Sequence, residues 1–314
     1  MTTAFVNRMK EQTFGVEVEM NNITRENAAK VAAKYFGDAT KYSYTGSQDN
    51  YMTWSAWDAS GRKWKFSKDS SISGSPSEQT ELVTPVLKYE DMELLQGLLR
   101  VLRKAGAKSD YTRGCGVHIH VGSDGHTAAS LRNLVNMMAS HEDLLAHSVN
   151  IAESRLNWFC RRVDTNFLSE LNRKKPQTLS ELADVWYYSQ GCNSCRNSHY
   201  NSSRYHMLNL HATFTRYRTI EFRLFQFEPE DEYGKKKNGL HAGKMKAFIN
   251  LSLALSQMAK EKKNASCKPT IIQNPKEAIK SWLFSLGLKG EEFKNTRAVF
   301  MRGADEYEAQ RMAA

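Results

Sequence analysis

The segment Phe14-Gly-Val-Glu-Val-Glu-Met20 alternates apolar and polar residues strictly, a pattern that a strand satisfies and a helix does not. Read as a strand, it sends Phe14, Val16, Val18 and Met20 into a core and leaves Glu17 and Glu19 together on the opposite face. Two like charges side by side on one face cost energy unless a cation lies between them. An isolated Glu-x-Glu is ordinarily a solvated strand face, so the rest of the chain has to decide between the two readings.

Three other segments repeat the theme. In Gly114-Cys-Gly-Val-His-Ile-His-Val121, Cys115, Val117, Ile119 and Val121 form a core face, while His118 and His120 share the other. Neutral imidazoles so placed can ligate a metal or donate to phosphate oxygens, or be structural. Gly114 and Gly116 would let a ligand approach the backbone closely. In Thr219-Ile-Glu-Phe-Arg-Leu-Phe225, Glu221 and Arg223 share a face and Arg218 stands just before. A carboxylate and a guanidinium on a rigid strand can hold a metal and clamp a phosphate; the plainer reading is an ion pair. Asp69, in Asp69-Ser-Ser-Ile72, and Glu81, in Thr80-Glu-Leu-Val-Thr-Pro85, are further candidate carboxylates, with turn and strand chemistry as the alternative. Each signal is weak alone; the four in this order are not.

The remaining pattern sets the architecture. A helix is expected from Thr24 to Tyr35, stopped by Gly37, then an antiparallel set of strands at Tyr42–Tyr44, Tyr51–Trp57 and Lys63–Phe66. Gln79–Pro85 reads as a strand, and Tyr89–Ala105 as a helix with Met92, Leu95, Leu98, Leu99 and Leu102 on one side. From Thr127 to about Tyr188 the pattern is helical, with breaks near Arg155–Asp164 and at Pro176, and Gly191–Ser203 is a polar loop. Tyr205–His211 and Thr219–Phe227 are expected to pair as strands, and His241–Lys260 to form a strong helix, with one or two more closing the chain. Strands, then helices, then strands imply an α+β fold with a mostly antiparallel sheet. The expected organisation is one domain over residues 1–261 with a helical insertion at about 127–200, and a helical extension over 262–314.

At these residues the chain resembles the amidoligases, carboxylate–amine ligases related to glutamine synthetase and glutamate–cysteine ligase. The matching stretches are Phe14–Glu19, Asp69-Ser70, Thr80–Pro85, Cys115–Val121, Tyr205 with Leu208-Asn209-Leu210, and Thr219–Arg223. The resemblance implies a glutamine-synthetase-like antiparallel sheet forming an active-site trough, with ATP and two or three Mg2+ ions (Mn2+ as the alternative). ATP would phosphorylate a carboxylate, and an amine would attack the acyl phosphate. Carried over by motif, Glu17, Glu19, Glu81, Glu221 and His118 would be metal ligands, with Asp69 a further metal or amine-site residue. His120, Arg218 and Arg223 would contact ATP phosphates, and Tyr205 and Asn209 would line the substrate or nucleotide pocket. One departure stands out: the glutamine-synthetase version carries Asn-Gly before the His-x-His strand, where this chain has Arg113-Gly114-Cys115-Gly116.

Composition narrows the classes without choosing among them. The net charge is +10, concentrated at Asn172–Lys175, Lys235–Lys237 and Lys260–Lys263, which suits a solvated face, an acidic partner or nucleic acid, the last not favoured. Small-molecule, peptide or protein carboxylates and amines are the expected substrates. No window approaches the roughly 18 apolar residues of a membrane span, and Met1–Gln12 lacks the apolar core of a secretory signal. Five scattered cysteines suggest no disulfide framework, so a reduced, cytoplasmic protein is expected. Cys192-Asn-Ser-Cys195 with His199 and His206 has the residue types of a zinc site but irregular spacing; an ordinary loop is the leading reading. Cys115 is expected to pack rather than react, and Trp54, Trp57 and Trp64 to be sheet packing. The competing functions are a metal-dependent hydrolase, which would need a second histidine cluster, and a non-enzymatic nucleic-acid-binding module.

Overall fold

Alternation in Phe14–Met20 produces β1, and the face that it buries sets the position of everything else: Phe14, Val16, Val18 and Met20 are each at most 2% exposed. The computed structural model describes residues 3–48, 51–191, 196–198, 201–229 and 239–313. The chain divides into two compact units, Thr13–Ile119 with Phe225–Lys246, and Met1–Gln12 with His120–Leu224 and Ala247–Ala314.

The first unit is built on the sheet. Its strands are β1, β2 (Tyr42–Tyr44), β3 (Trp54–Trp57), β4 (Lys63–Ser67), β5 (Thr80–Val83) and the first half of β6 (Val117–Gly122), in the order β2-β3-β4-β5-β1-β6. Pairing is antiparallel from β2 through β3, β4 and β5 to β1. The fold is α+β with an open antiparallel sheet, as the order of patterns predicts. Helix α2 (Arg25–Tyr35) packs on β3 and β4, and its buried Ala28, Ala29, Ala32 and Ala33 let it lie close. Thr24 caps it, its hydroxyl accepting the Asn27 N–H at 3.2 Å. Helix α3 (Met92–Lys104) buries Leu95, Leu98, Leu99 and Leu102, the predicted stripe. Trp64 is fully buried and donates to Asp58, whose carboxylate and that of Asp91 both hold Arg62.

The second unit is mostly helical. It holds α1 (Thr3–Glu11), α4 (Ala128–Val149), α5 (Glu153–Trp158), α6 (Thr165–Lys174), α7 (Leu179–Ser189), the pair β7 (Leu208–Asn209) and β8 (Thr219–Phe225), most of α8 (Ala242–Glu261), α9 (Pro275–Ser285) and α10 (Lys294–Ala313). Three features differ from expectation. Helix α1 was not anticipated; it buries only Phe5 and Met9, one turn apart, too short a signal to stand out. A further helical break precedes the expected one, at Asn150, which adopts φ 54° and ends α4; α5 follows it and overlaps the start of the expected break, which separates α5 from α6. The break at Pro176 holds, with Lys175 at φ 48°. Strand β7 is only Leu208–Asn209, because the chain turns into a 3-10 helix at His211–Phe214.

His206 is no free metal ligand: its ring nitrogens bond the Arg162 carbonyl at 2.6 Å and the Gln190 side chain at 3.1 Å. Cys192, Cys195, His199 and Lys235–Lys237 lie outside the described residues. The basic cluster near Arg173 is partly neutralised, Arg173 and Lys174 pairing with Glu170 at 2.6 and 3.2 Å. Among the described residues no helix is long and apolar enough to cross a membrane.

The second unit also buries a carboxyl. Glu142 is 7% exposed on α4 and accepts the Val163 N–H at 2.6 Å. Burial pushes its pKa up to about 7, against the pull of that N–H and of Arg162. A carboxyl that holds its proton more tightly when folded costs stability as pH rises from its unfolded value through its folded one. Glu142→Gln, which keeps the acceptor, is therefore expected to match the parent protein near pH 4 and to exceed it by about 3 kcal/mol at pH 8. Thermal melts of both proteins across this range check it; parallel pH profiles would remove Glu142 as the cause.

Candidate active site

The sheet places four of the candidate residues together in the first unit. Glu19 on β1 lies directly opposite Glu81 on β5, and Glu17 lies opposite Val83. Directly paired residues project from the same face, so Glu17, Glu19 and Glu81 share the side opposite the Val16–Val18 core. Strand β6 flanks β1 on its other side and brings His118 to that face. His118 Nδ1 lies 3.0 Å from a Glu17 oxygen, while Nε2 lies 3.9 Å from Glu19 Oε1. The second Glu19 oxygen accepts the Gly116 N–H at 2.6 Å. Glu19 and His118 are 5% and 6% exposed.

Glu19, Glu81 and His118 each offer one ligand atom, and these atoms lie within 4.8 Å of one another. Two carboxylates with a single imidazole in so small and buried a space suit a divalent cation: the donor set is hard oxygen with one nitrogen, and the cation offsets the like-charge repulsion. These residues could hold a metal ion.

The segment before β6 is braced by the chain itself. Asp110 accepts the Thr112 N–H and pairs with Arg113 at 2.9 Å, and Arg113 reaches Asn21 at 3.3 Å. Gly114 has φ 71°, and a Cβ there would meet the Ser71 carbonyl at 2.8 Å. The groups that approach the two glycines are the Ser71 backbone and the Glu19 carboxylate. The Asp69 carboxylate accepts the Ser71 N–H at 2.8 Å in a tight turn. Cys115 is fully buried, and burial together with the Glu19 charge pushes its thiol well above its ordinary range, which leaves it inert as a nucleophile.

The second unit holds the other group. Glu221 on β8 is 1% exposed, pairs with Arg223, and accepts from the Asn209 amide at 2.6 Å. Asn209 is directly opposite Glu221 across the β7–β8 pair, and its carbonyl oxygen accepts the His211 N–H at 2.8 Å. The Arg223 guanidinium lies over the Tyr205 ring, 5.6 Å from its centre. His120 bonds Thr219 at 3.1 Å through Nδ1, and its Nε2 lies 3.9 Å from Glu221. Arg218 is exposed in the turn before β8, at φ 48°, and its carbonyl accepts from Ser123.

Two groups here escaped the sequence reading. Arg155 on α5 is 5% exposed and donates to the Arg223 carbonyl at 3.0 Å. Tyr187 on α7 bonds His211 at 2.6 Å, and burial pushes its phenol up to about 12. Arg155 fell in an expected break and Tyr187 in an ordinary helix, so neither carried a local signal.

The sequence model of the family described as "Putative amidoligase enzyme" matches residues 10–235, which include both groups of side chains. The chain belongs to the amidoligase family. No curated protein matches it. Among solved structures, it is similar to the crystal structure of a bifunctional glutathione synthetase from Pasteurella multocida, at 12% identity and a TM-score of 0.46. That alignment covers 100% of this amidoligase and 51% of the glutathione synthetase chain, so this chain spans about half the length of that structure.

Proposed function

We propose that this amidoligase is an ATP- and Mg2+-dependent carboxylate–amine ligase acting through an acyl phosphate, on a glutamine-synthetase-like version of the sheet. The observation that carries the reading is the convergence of Glu19, Glu81 and His118 ligand atoms within 4.8 Å in a chain of this family. In this reading Glu17, Glu19, Glu81, Glu221 and His118 hold the divalent ions, Mg2+ or Mn2+, with Asp69 a further carboxylate for the amine. Segments 127–200 and 262–314 are additions to the catalytic domain. A divalent cation, when bound, neutralises phosphate charge and polarises the phosphoryl group.

The chain's own residues do the rest. The Gly116 N–H fixes the Glu19 carboxylate, and the Glu17–His118 bond orients the imidazole, so the donor atoms are set before any ligand arrives. Asn209 holds Glu221, and the Tyr205 ring supports Arg223. Arg223, Arg218 and His120 contact the ATP phosphates, where fixed positive charge and N–H donors stabilise the transferring phosphoryl group. The substrate carboxylate oxygen attacks the γ-phosphorus and ADP leaves; the amine nitrogen then attacks the acyl carbon and phosphate leaves. Holding both substrates together supplies proximity and keeps water from the acyl phosphate.

The test is ADP release with Mg2+ and ATP across pools of acids, amino acids, polyamines and peptides. The expected result is ADP formed in step with a new amide and dependent on both an acid and an amine. Amide formation without ATP, or turnover of neither, would defeat the reading.

A further inference from the structure

We propose that the sheet face bearing Glu17, Glu19 and Glu81 extends outward into an oxyanion-binding subsite centred on Lys65. The register places it there. Glu17 is opposite Val83 on β5, Val83 is opposite Lys65 on β4, and Lys65 is opposite Ser55 on β3. The neighbouring row runs from Glu19 to Glu81 to Ser67. Directly paired residues share a face, so Lys65 projects from the carboxylate side, two strands from Glu17 and about 10 Å away.

The two faces of this part of the sheet differ in kind. The α2 side carries Trp54, Ala56, Trp64 and Phe66, ordinary packing. The carboxylate side carries Ser55, Ser67 and Lys65 together with Trp57, Lys63 and Val83, with Thr45 and Thr53 among the buried hydroxyls. Thr53 bonds Ser67 at 3.0 Å and Thr45 bonds Ser55 at 2.8 Å. These buried hydroxyls satisfy one another, which fixes the strands that carry Lys65.

Lys65 is half-buried, and no described carboxylate pairs with it. A ligand's anion can meet the Lys65 ammonium through a charge-assisted hydrogen bond. Its neighbour Lys63 instead lies over the Trp57 ring, 6.0 Å from its centre. A ligand whose reacting end sits at the carboxylate cluster would thus place a second negative group on Lys65. That group is a carboxylate or phosphate oxyanion, either the far end of a di-anionic acid substrate or a phosphate of the nucleotide. The inference rests on the ligase reading only for where the reacting end lies.

The test is isothermal titration of the metal-free protein with glutarate and with inorganic pyrophosphate, at millimolar concentrations. Lys65→Met is expected to weaken binding about tenfold, the scale of one charge-assisted hydrogen bond at a half-exposed site, and Lys65→Arg to restore most of it. Lys63→Met is expected to change it less than about twofold. Weakening of glutarate assigns the subsite to the acid substrate, and weakening of pyrophosphate to the nucleotide; either supports it. The proposal is overturned if the parent protein binds neither probe, if Lys65→Met alters neither, or if Lys63→Met acts as strongly. No metal or turnover enters this measurement. Mn2+ binding measured separately on Glu19→Gln tells its failure apart from failure of the ligase reading.

Discussion

Glu19→Gln is expected to lower ADP release at least about a hundredfold, the scale for removing a key charge-stabilising group, and to weaken Mn2+ binding in parallel. Glutamine keeps the size of the side chain and an oxygen that can still accept the Gly116 N–H, which the carboxylate accepts at 2.6 Å. The fold and the position of the side chain should therefore survive while the charge is lost. Glu19 is 5% exposed and lies opposite Glu81, so water does little of the work of balancing these two carboxylates. Free Mn2+ counted by its paramagnetic resonance signal gives the binding arm, and circular dichroism shows that the variant is folded. Glu17→Gln should move in the same direction, because Glu17 orients His118 through the 3.0 Å bond. A folded Glu19→Gln protein with undiminished Mn2+ affinity and turnover would sink the assignment.

How much of this was legible beforehand depended on period. Glu17 and Glu19 could be read because Phe14–Met20 alternates without exception, and a strict alternation names both the strand and the face. The same logic placed His118 on β6 and the pair Glu221 and Arg223 on β8. Register was a different matter. Nothing local in Thr80–Val83 says that Glu81 faces Glu19, nor that Lys65 falls in line with Glu17, since register comes from how strands meet. Asn209 reads from sequence as lining a pocket; that its amide also donates to Glu221 and accepts the His211 N–H was not legible, because a two-residue strand carries no period to reveal it. Arg155 is the extreme case, since it donates to the Arg223 backbone 68 residues away.

Glu221 offers the second large effect, this time on stability. Its carboxylate is 1% exposed and pairs with an Arg223 guanidinium that is 5% exposed. Removing one partner of such a pair leaves a buried charge without its counter-charge, and Glu221→Leu is expected to cost about 3–5 kcal/mol. Replacing both, as Glu221→Leu with Arg223→Met, fills similar volume with apolar groups and should recover most of that loss. Urea unfolding of the two single variants and the double gives the coupling directly. Turnover should follow a different rule. If both side chains serve phosphoryl transfer, the double variant regains stability and stays as inactive as either single one, because packing can replace a buried pair but cannot replace its charges. A double variant that recovers activity along with stability would make Glu221 and Arg223 a structural pair, and a single Glu221→Leu as stable as the parent would deny the pairing itself.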